Sequence, residues 1–264
     1  MKRRIAMALV PFVFALPVWA QTAPPSASAE PTDPKATEQW EPVPKAVTPG
    51  KQDSAPPSDA VVLFDGRDLA QWETSKDHSP ARWKVHDGVM TVNKTTGNIQ
   101  TKQRFKNYQL HLEWQVPKDI AGEGQARGNS GLFVASTGPA DEGYEIQILD
   151  SWKNKTYVNG QAASVYKQTP PLANAMRPPG EWQAYDVVWT APVFATDGTL
   201  KSPGYVTVFH NGVLVQNHTQ LAGETVYIGK PKYKPYADAP IKLQAHGDPS
   251  QPISFRNIWV RPLD

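Results

Sequence analysis

The sequence predicts an all-β fold, a sandwich or jelly roll built from two mostly antiparallel sheets. Three observations lead there. From about residue 60 onward, short runs of β-branched and aromatic residues recur between Gly, Pro, Asn and Asp. Two dipeptides, Asp87-Gly88 and Asn211-Gly212, sit between such runs as tight hairpin turns. No stretch carries a sustained 3.6-residue apolar period, so helices should be short and few. About a dozen strands over some 200 residues fit two packed sheets, and no fixed-period repeat suggests a propeller.

Taken in order, Val61, Val62, Leu63 and Phe64 open the domain. Residues 82–86 and 89–92 flank the Asp87-Gly88 turn as a hairpin. Residues 108–116 alternate strictly, with Leu110, Leu112 and Trp114 on one face and His111 and Glu113 on the other. Strands are expected next at 130–135, 144–149, 162–166 and 183–190. Residues 205–210 and 213–217 pair across Asn211-Gly212, and 241–245 and 253–261 complete the set.

The N-terminus has its own character. Lys2, Arg3 and Arg4 precede a mostly apolar run that ends in Val18-Trp19-Ala20, the pattern of a secretory leader cleaved after Ala20. The run is too short for a membrane anchor, and Pro11 and Pro17 interrupt it. Residues 1–20 are thus expected to be a signal peptide and the protein periplasmic or secreted. Residues 21–60, with nine prolines and almost no aliphatic side chains, read as a disordered linker, and 61–264 as the folded domain.

The chain has 27 basic and 25 acidic residues, and losing the leader leaves 24 against 25. Such a balance gives no electrostatic reason to expect nucleic acid as a partner. With no cysteine, disulfides, thiolate nucleophiles and cysteine-ligated zinc are excluded. No later segment is apolar enough to span a bilayer.

Three strands depart from an ordinary solvent face in the same way. His111 and Glu113 share a face, as do Glu145 and Gln147, and as do Lys242, Gln244 and His246. Laid side by side in one curved sheet they form a polar floor suited to a sugar; apart, they are ordinary outward faces. The run from Gly143 to Asp150 has the rhythm of the ExDxxE strand of retaining jelly-roll glucanases, with Gln147 in the middle and Asp150 at the end. Asp150 reads equally well as a turn or cap at the strand end. The GxGxxxG spacing of Gly122, Gly124 and Gly128 is not a phosphate loop, because no helix follows. The pattern names no cofactor, and the scattered His, Glu and Asp leave a divalent metal open.

Eight ordered motifs carry a family resemblance across roughly residues 60–264. They are Leu63-Phe64-Asp65-Gly66-Arg67-Asp68-Leu69 with Trp72, then Leu110-His111-Leu112-Glu113-Trp114, then Gly128-Asn129-Ser130-Gly131-Leu132-Phe133. Tyr144-Glu145-Ile146-Gln147-Ile148-Leu149-Asp150, Pro179-Gly180-Glu181-Trp182 and His210-Asn211-Gly212-Val213 follow. The run from Pro240 to Gly247 and Phe255-Arg256-Asn257-Ile258-Trp259 close the set. With these the chain resembles the 3-keto-disaccharide hydrolases, the 3-keto-glucoside 1,2-lyase and 3-keto-2-hydroxy-glucal hydratase domains.

The resemblance implies a concanavalin A-like jelly roll acting on sugars oxidised at C3. A ketone there acidifies the C2 hydrogen, so a single base can remove it and expel the glycosidic oxygen, after which water adds back. On that reading Glu145 or His246 is the base, with His246 preferred because an imidazole exchanges its proton near neutral pH. Tyr166 is the acid, at the end of a segment where the family has Thr-Gly-Ala/Ser-x-Tyr and this chain has Ala162-Ala163-Ser164-Val165-Tyr166. Asn129, Gln147, Lys167 and Gln244 hold hydroxyls or the enolate oxygen, Asp150 lies near the substrate, and Glu113 orients from behind. Arg256 is expected in a salt bridge and Asp65 in a turn. Two other readings remain at this point: a retaining β-glycanase using Glu145 and Asp150, and a noncatalytic carbohydrate-binding module. Oligomeric state leaves no mark in the sequence.

Overall fold

A computed structural model describes residue 35, residues 38–39 and residues 41–263. The expected leader at 1–20 and residues 21–34, 36, 37 and 40 of the 21–60 segment lie outside the described residues. Ala46–Asp264 form one compact unit.

Among the described residues this unit contains fifteen strands. They are β1 (Val61–Phe64), β2 (Trp72–Thr74), β3 (Lys84–His86), β4 (Val89–Thr91), β5 (Ile99–Thr101), β6 (Tyr108–Gln115), β7 (Ser130–Ser136) and β8 (Gly143–Ile148). The second half gives β9 (Gln183–Thr190), β10 (Val193–Phe194), β11 (Leu200–Ser202), β12 (Tyr205–His210), β13 (Val213–Gln220), β14 (Lys242–Leu243) and β15 (Ser254–Pro262). All their pairings are antiparallel. The larger sheet runs β13-β12-β9-β6-β15-β4-β3, with β1 on β15. The smaller runs β2-β5-β14-β7-β8, so strands from both ends of the chain interleave in each sheet. β10 and β11 form a separate ribbon. The fold is the all-β jelly-roll sandwich that the sequence predicts.

Both predicted hairpin turns form where the backbone needs positive φ. Asp87 and Gly88 sit at 49° and 77°, and Asn211 and Gly212 at 53° and 80°. Those are the values that make Asn-Gly and Asp-Gly the favoured two-residue connections.

The core lies between the sheets. Leu110, Leu112 and Trp114 of β6 and Tyr185, Val187 and Trp189 of β9 are essentially inaccessible, and so are Tyr144, Ile146 and Ile148 of β8 opposite. Burying each such side chain contributes roughly 1.5–3 kcal/mol. Two core tyrosines also bridge the layers. Tyr108 donates its hydroxyl to the Val134 carbonyl at 2.5 Å and Tyr185 to the Gln147 carbonyl at 2.8 Å. Apolar residues of β8 face inward, so Glu145 and Gln147 must point out of the sandwich from the smaller sheet.

Three expectations change. The 162–166 segment is not a regular strand: Ala163 and Lys167 have φ of 66° and 57°, and only isolated bridges form at Val165. It still completes the edge of β8, through Gln147 N–H to Ser164 O, Ala163 N–H to Gln147 O and Tyr166 N–H to Glu145 O. The linker does not run to residue 60, because residues 46–60 belong to the compact unit. The Ser54 carbonyl accepts from Asn257 Nδ2 at 2.9 Å and Trp259 Nε1 at 3.0 Å, and Arg261 Nε meets both Asp59 oxygens at 2.9 Å.

The third change concerns the polar floor. Glu145, Gln147 and Lys242 belong to the smaller sheet, with Gln244 just beyond the end of its β14, but His111 and Glu113 lie on β6 of the larger one. There they form a cluster on the outer face of that sheet. His111 stacks on Trp259 and approaches Asp186 Oδ1 at 2.7 Å, and Glu113 takes Arg256 Nε at 2.6 Å and Asn257 Nδ2 at 2.8 Å. Arg256 is in its expected salt bridge and also lies over the Trp182 ring at 4.1 Å. Asp65 makes its turn by accepting from the Arg67 N–H.

Candidate active site

A pocket of about 690 Å³ opens on the outer face of the smaller sheet, a size suited to one or two sugar rings. Seven of the predicted residues line it: Asn129, Glu145, Gln147, Tyr166, Lys167, Gln244 and His246.

β8 supplies the floor. Its alternation projects Glu145 and Gln147 side by side, and Gly131 on neighbouring β7 leaves room for the carboxyl. The Gln147 side-chain amide lies between Glu145 Oε1 and the Ser130 carbonyl on one side, each 3.1 Å away, and Gln125 Oε1 and Asn129 Oδ1 on the other, at 3.0 and 3.3 Å. Burial pushes the Glu145 carboxyl up, the Asp141 carboxylate adds to the push, Lys242 opposes it, and the group settles at about 8. At neutral pH Glu145 is therefore mostly a protonated acid, able to donate a proton or a hydrogen bond.

Lys242 shares this face of the sheet but is buried under the 138–142 loop rather than lining the pocket. Its ammonium lies over the Phe133 ring at 4.4 Å and donates to the carbonyls of Gly138, Ala140 and Glu142. It ties down the loop that carries Asp141. Gln244 follows two residues later and lines the pocket; its side chain is buried and its Oε1 has no hydrogen-bond partner among the described residues.

One wall is built from loops. Asn129 donates Nδ2 to the Gln125 carbonyl at 2.8 Å, and the same nitrogen lies 3.5 Å from His246 Nε2. His246 Nδ1 turns away from the pocket toward Asp248 Oδ2 at 3.1 Å. The opposite wall is aromatic. The Tyr157 and Tyr166 hydroxyls meet at 2.7 Å, and Lys167 Nζ sits 4.1 Å from the Tyr227 ring centre while donating to the Tyr227 carbonyl. Burial, the Tyr157 hydroxyl and the Glu145 carboxyl together push the Tyr166 phenol well above its ordinary value, so it keeps its proton. A base, two neutral acids and a set of amides thus converge in one cavity, an arrangement for moving protons at a bound sugar.

Two predicted residues are not brought here. Glu113 is spent in the β6 cluster, on the other sheet. Asp150 is fully buried, accepts from the Trp152 N–H at 2.9 Å and pairs with Arg127 Nε at 2.7 Å. It is the strand-end cap, and the bulge that would return it to the pocket does not form. Gln125, Tyr157, Thr225, Tyr227 and Asp248 also line the pocket and were not anticipated. Only Asp248 carried a usable signal, two residues beyond His246. Among the described residues no group of three His, Asp or Glu is placed to hold a metal ion.

Residues 59–261 match the family described as the 3-keto-alpha-glucoside-1,2-lyase-like domain. A curated relative from Bacteroides thetaiotaomicron, named 3-keto-disaccharide hydrolase, is 25% identical over 242 residues, 77% of this chain and 78% of that protein. A crystal structure from Parabacteroides distasonis, described as a candidate glycosyl hydrolase, is 54% identical with a TM-score of 0.81, covering 88% of this chain and 97% of the other. A second structure from the same organism, 22% identical at a TM-score of 0.57, shares the fold over 78% of this chain and 94% of that one.

Proposed function

Because this chain belongs to the 3-keto-alpha-glucoside-1,2-lyase-like domain family, we propose that it hydrolyses glycosides whose sugar carries a ketone at C3. The observation that carries this reading is the protonation inventory of the pocket: an imidazole opposite a carboxyl held protonated at about 8, with no partner carboxylate from Asp150. A conventional retaining glycanase needs an ionised nucleophile paired with an acid. An elimination needs one base, an acid for the departing oxygen and donors for the enolate.

His246 Nε2 takes the C2 proton, and the electron pair moves toward the C3 oxygen as an enolate held by hydrogen bonds from Glu145 and the neighbouring amides. Collapse of the enolate expels the glycosidic oxygen from C1, which takes its proton from Tyr166. Water then adds its hydroxyl to C1 and gives its other proton to the Tyr166 phenolate, and the imidazolium, whose proton exchanges with solvent, protonates C2, giving net hydrolysis. Lys167 and Gln244 hold the hydroxyls of the ring. The basic and apolar N-terminal pattern supports a periplasmic or secreted location for this activity.

The test is incubation with a 3-keto-disaccharide and with its unoxidised parent, followed by product analysis in D₂O. Turnover of the keto sugar with deuterium at C2 supports the proposal. Turnover of the parent alone would sink it, and binding of either without turnover would favour a carbohydrate-binding module.

A further inference from the structure

The ring of His246 faces two competing partners at the same nitrogen, both from Asp248. The carboxylate Oδ2 lies 3.1 Å from Nδ1 and can accept a proton from it. The Asp248 backbone N–H also lies 3.1 Å from Nδ1 and can donate to it. The two bonds require opposite tautomers. The first leaves Nε2 as a lone pair open to the pocket; the second puts the proton on Nε2, where it cannot serve as a base.

The surroundings of Asp248 decide between them. Its side chain is 2% exposed and Oδ2 is also 3.1 Å from Lys94 Nζ. Lys94 is anchored independently, donating to the Asp248 carbonyl at 2.6 Å and the Ser250 carbonyl at 2.9 Å. The other oxygen, Oδ1, accepts the Ser250 N–H at 2.9 Å and the Ser250 hydroxyl. Ser250 Oγ in turn accepts the Gly128 N–H at 2.9 Å, next to Asn129. Both carboxylate oxygens are therefore surrounded by donors. Burial pushes the Asp248 carboxyl up, but the hydrogen bonds from His246, Ser250 and Lys94 outweigh it and hold the group ionised, at about 2. Asn129 Nδ2, 3.5 Å from Nε2, adds a donor on the far side of the ring.

We propose that Asp248, braced by Lys94 and Ser250, is a positioning residue that fixes His246 as the Nδ1–H tautomer and so keeps Nε2 free to act as a base. The idea rests on the elimination reading above. It adds to that reading a Lys94–Asp248–His246 chain that sets the proton's place before any substrate arrives. The ammonium balances the carboxylate, so the ring is oriented by a pair that is neutral as a whole.

Asp248→Asn separates tautomer control from packing. The Ser250 N–H, fixed in the backbone, demands an acceptor at the Oδ1 position, whereas Lys94 Nζ can give up Oδ2 and keep the Asp248 and Ser250 carbonyls. The new amide nitrogen then lies beside Nδ1 as a donor and drives the proton to Nε2. Nitrogen-15 NMR of histidine-labelled protein, with His246 identified by its loss in His246→Gln, reads the tautomer directly. The wild type should show Nδ1–H, Asp248→Asn should show Nε2–H, and Asp248→Glu should restore the first pattern. On a 3-keto-disaccharide, kcat for Asp248→Asn should fall by about 10²–10⁴-fold, with KM changed by no more than about threefold.

A wild-type ring protonated at Nε2 would overturn the proposal even if no variant folds. So would an Asp248→Asn enzyme with the reversed tautomer and normal kcat. The NMR comparison uses no substrate, so failure of the wild type to turn over any 3-keto sugar would count against the functional reading and leave the tautomer assignment standing.

Discussion

Gly131 stands against the Glu145 carboxyl so closely that a Cβ at this position would lie 2.5 Å from Glu145 Oε1. The second glycine of the Gly128-to-Phe133 motif is thus explained by the space that a buried acid needs. Gly131→Ala should displace that carboxyl, lower kcat by about 10²-fold and destabilise the fold by about 1–3 kcal/mol. Kinetics on a 3-keto-disaccharide with a thermal melt checks both; an alanine variant of normal rate would show that the position of Glu145 is unimportant.

Glu145 itself costs stability. Its carboxyl is raised from 4.5 to about 8 by burial and by Asp141, so the folded state binds a proton that the unfolded chain releases. Stability should therefore decline as pH rises from 4.5 through 8. Glu145→Gln removes this dependence and should be more stable than wild type above pH 8, by up to roughly 4 kcal/mol, while losing activity. Denaturant titrations from pH 5 to pH 9 test the sign, which fails if the variant is the less stable protein at high pH.

In the β6 cluster His111 has a linkage of the same sign and Glu113 one of the opposite sign. Burial pulls His111 down, but the bonds and charges of Asp186 and Glu113 raise it from 6.5 to about 9. Its contribution is whole below pH 6.5 and is lost as pH rises through 9. Burial likewise opposes Glu113, yet His111, Asn257 and Arg256 hold it at about 2, so its contribution is whole above 4.5 and fades toward pH 2. His111→Gln should flatten the loss between pH 6.5 and 9, a difference on the order of 2–3 kcal/mol. Comparing wild-type and variant unfolding at pH 6 and pH 9.5 gives the answer.

Residues 46–60 provide a fourth prediction. A protein beginning at residue 61 loses the Ser54 acceptor of Asn257 and Trp259 and the Asp59 partner of Arg261. At about 1 kcal/mol per hydrogen bond, more for the charged one, it should be about 2–4 kcal/mol less stable than one beginning at residue 46. Equal melting temperatures would return this segment to the linker.

The strands were legible because their periodicity is local. Strands β6, β9 and β12 and both hairpin turns follow from alternation and from the φ that Asn-Gly and Asp-Gly accept. Sheet membership was not legible, and this is why Glu113 was misplaced: a polar face on β6 reads the same whichever sheet the strand joins. Asp150 failed for a related reason, since a one-residue bulge decides between pocket and cap. Gln125, Tyr157 and Tyr227 come from loops that fold back over β8, and no spacing within a strand encodes such a return. The pocket's amides and His246 were readable because Gln and His repeat on faces where solvent-facing strands carry Lys and Thr.

β8 is the last strand of its sheet, and such borders invite pairing with another chain. Here the outward backbone groups of Glu145 and Gln147 are all taken: Glu145 N–H by Thr225 Oγ1, and the others by Ala163, Ser164 and Tyr166. The segment that shields the border against aggregation is the one that delivers Tyr166 to the pocket. Any change that frees the tyrosine also bares a strand to its neighbours, so loss of catalysis and loss of solubility should arise together at these positions.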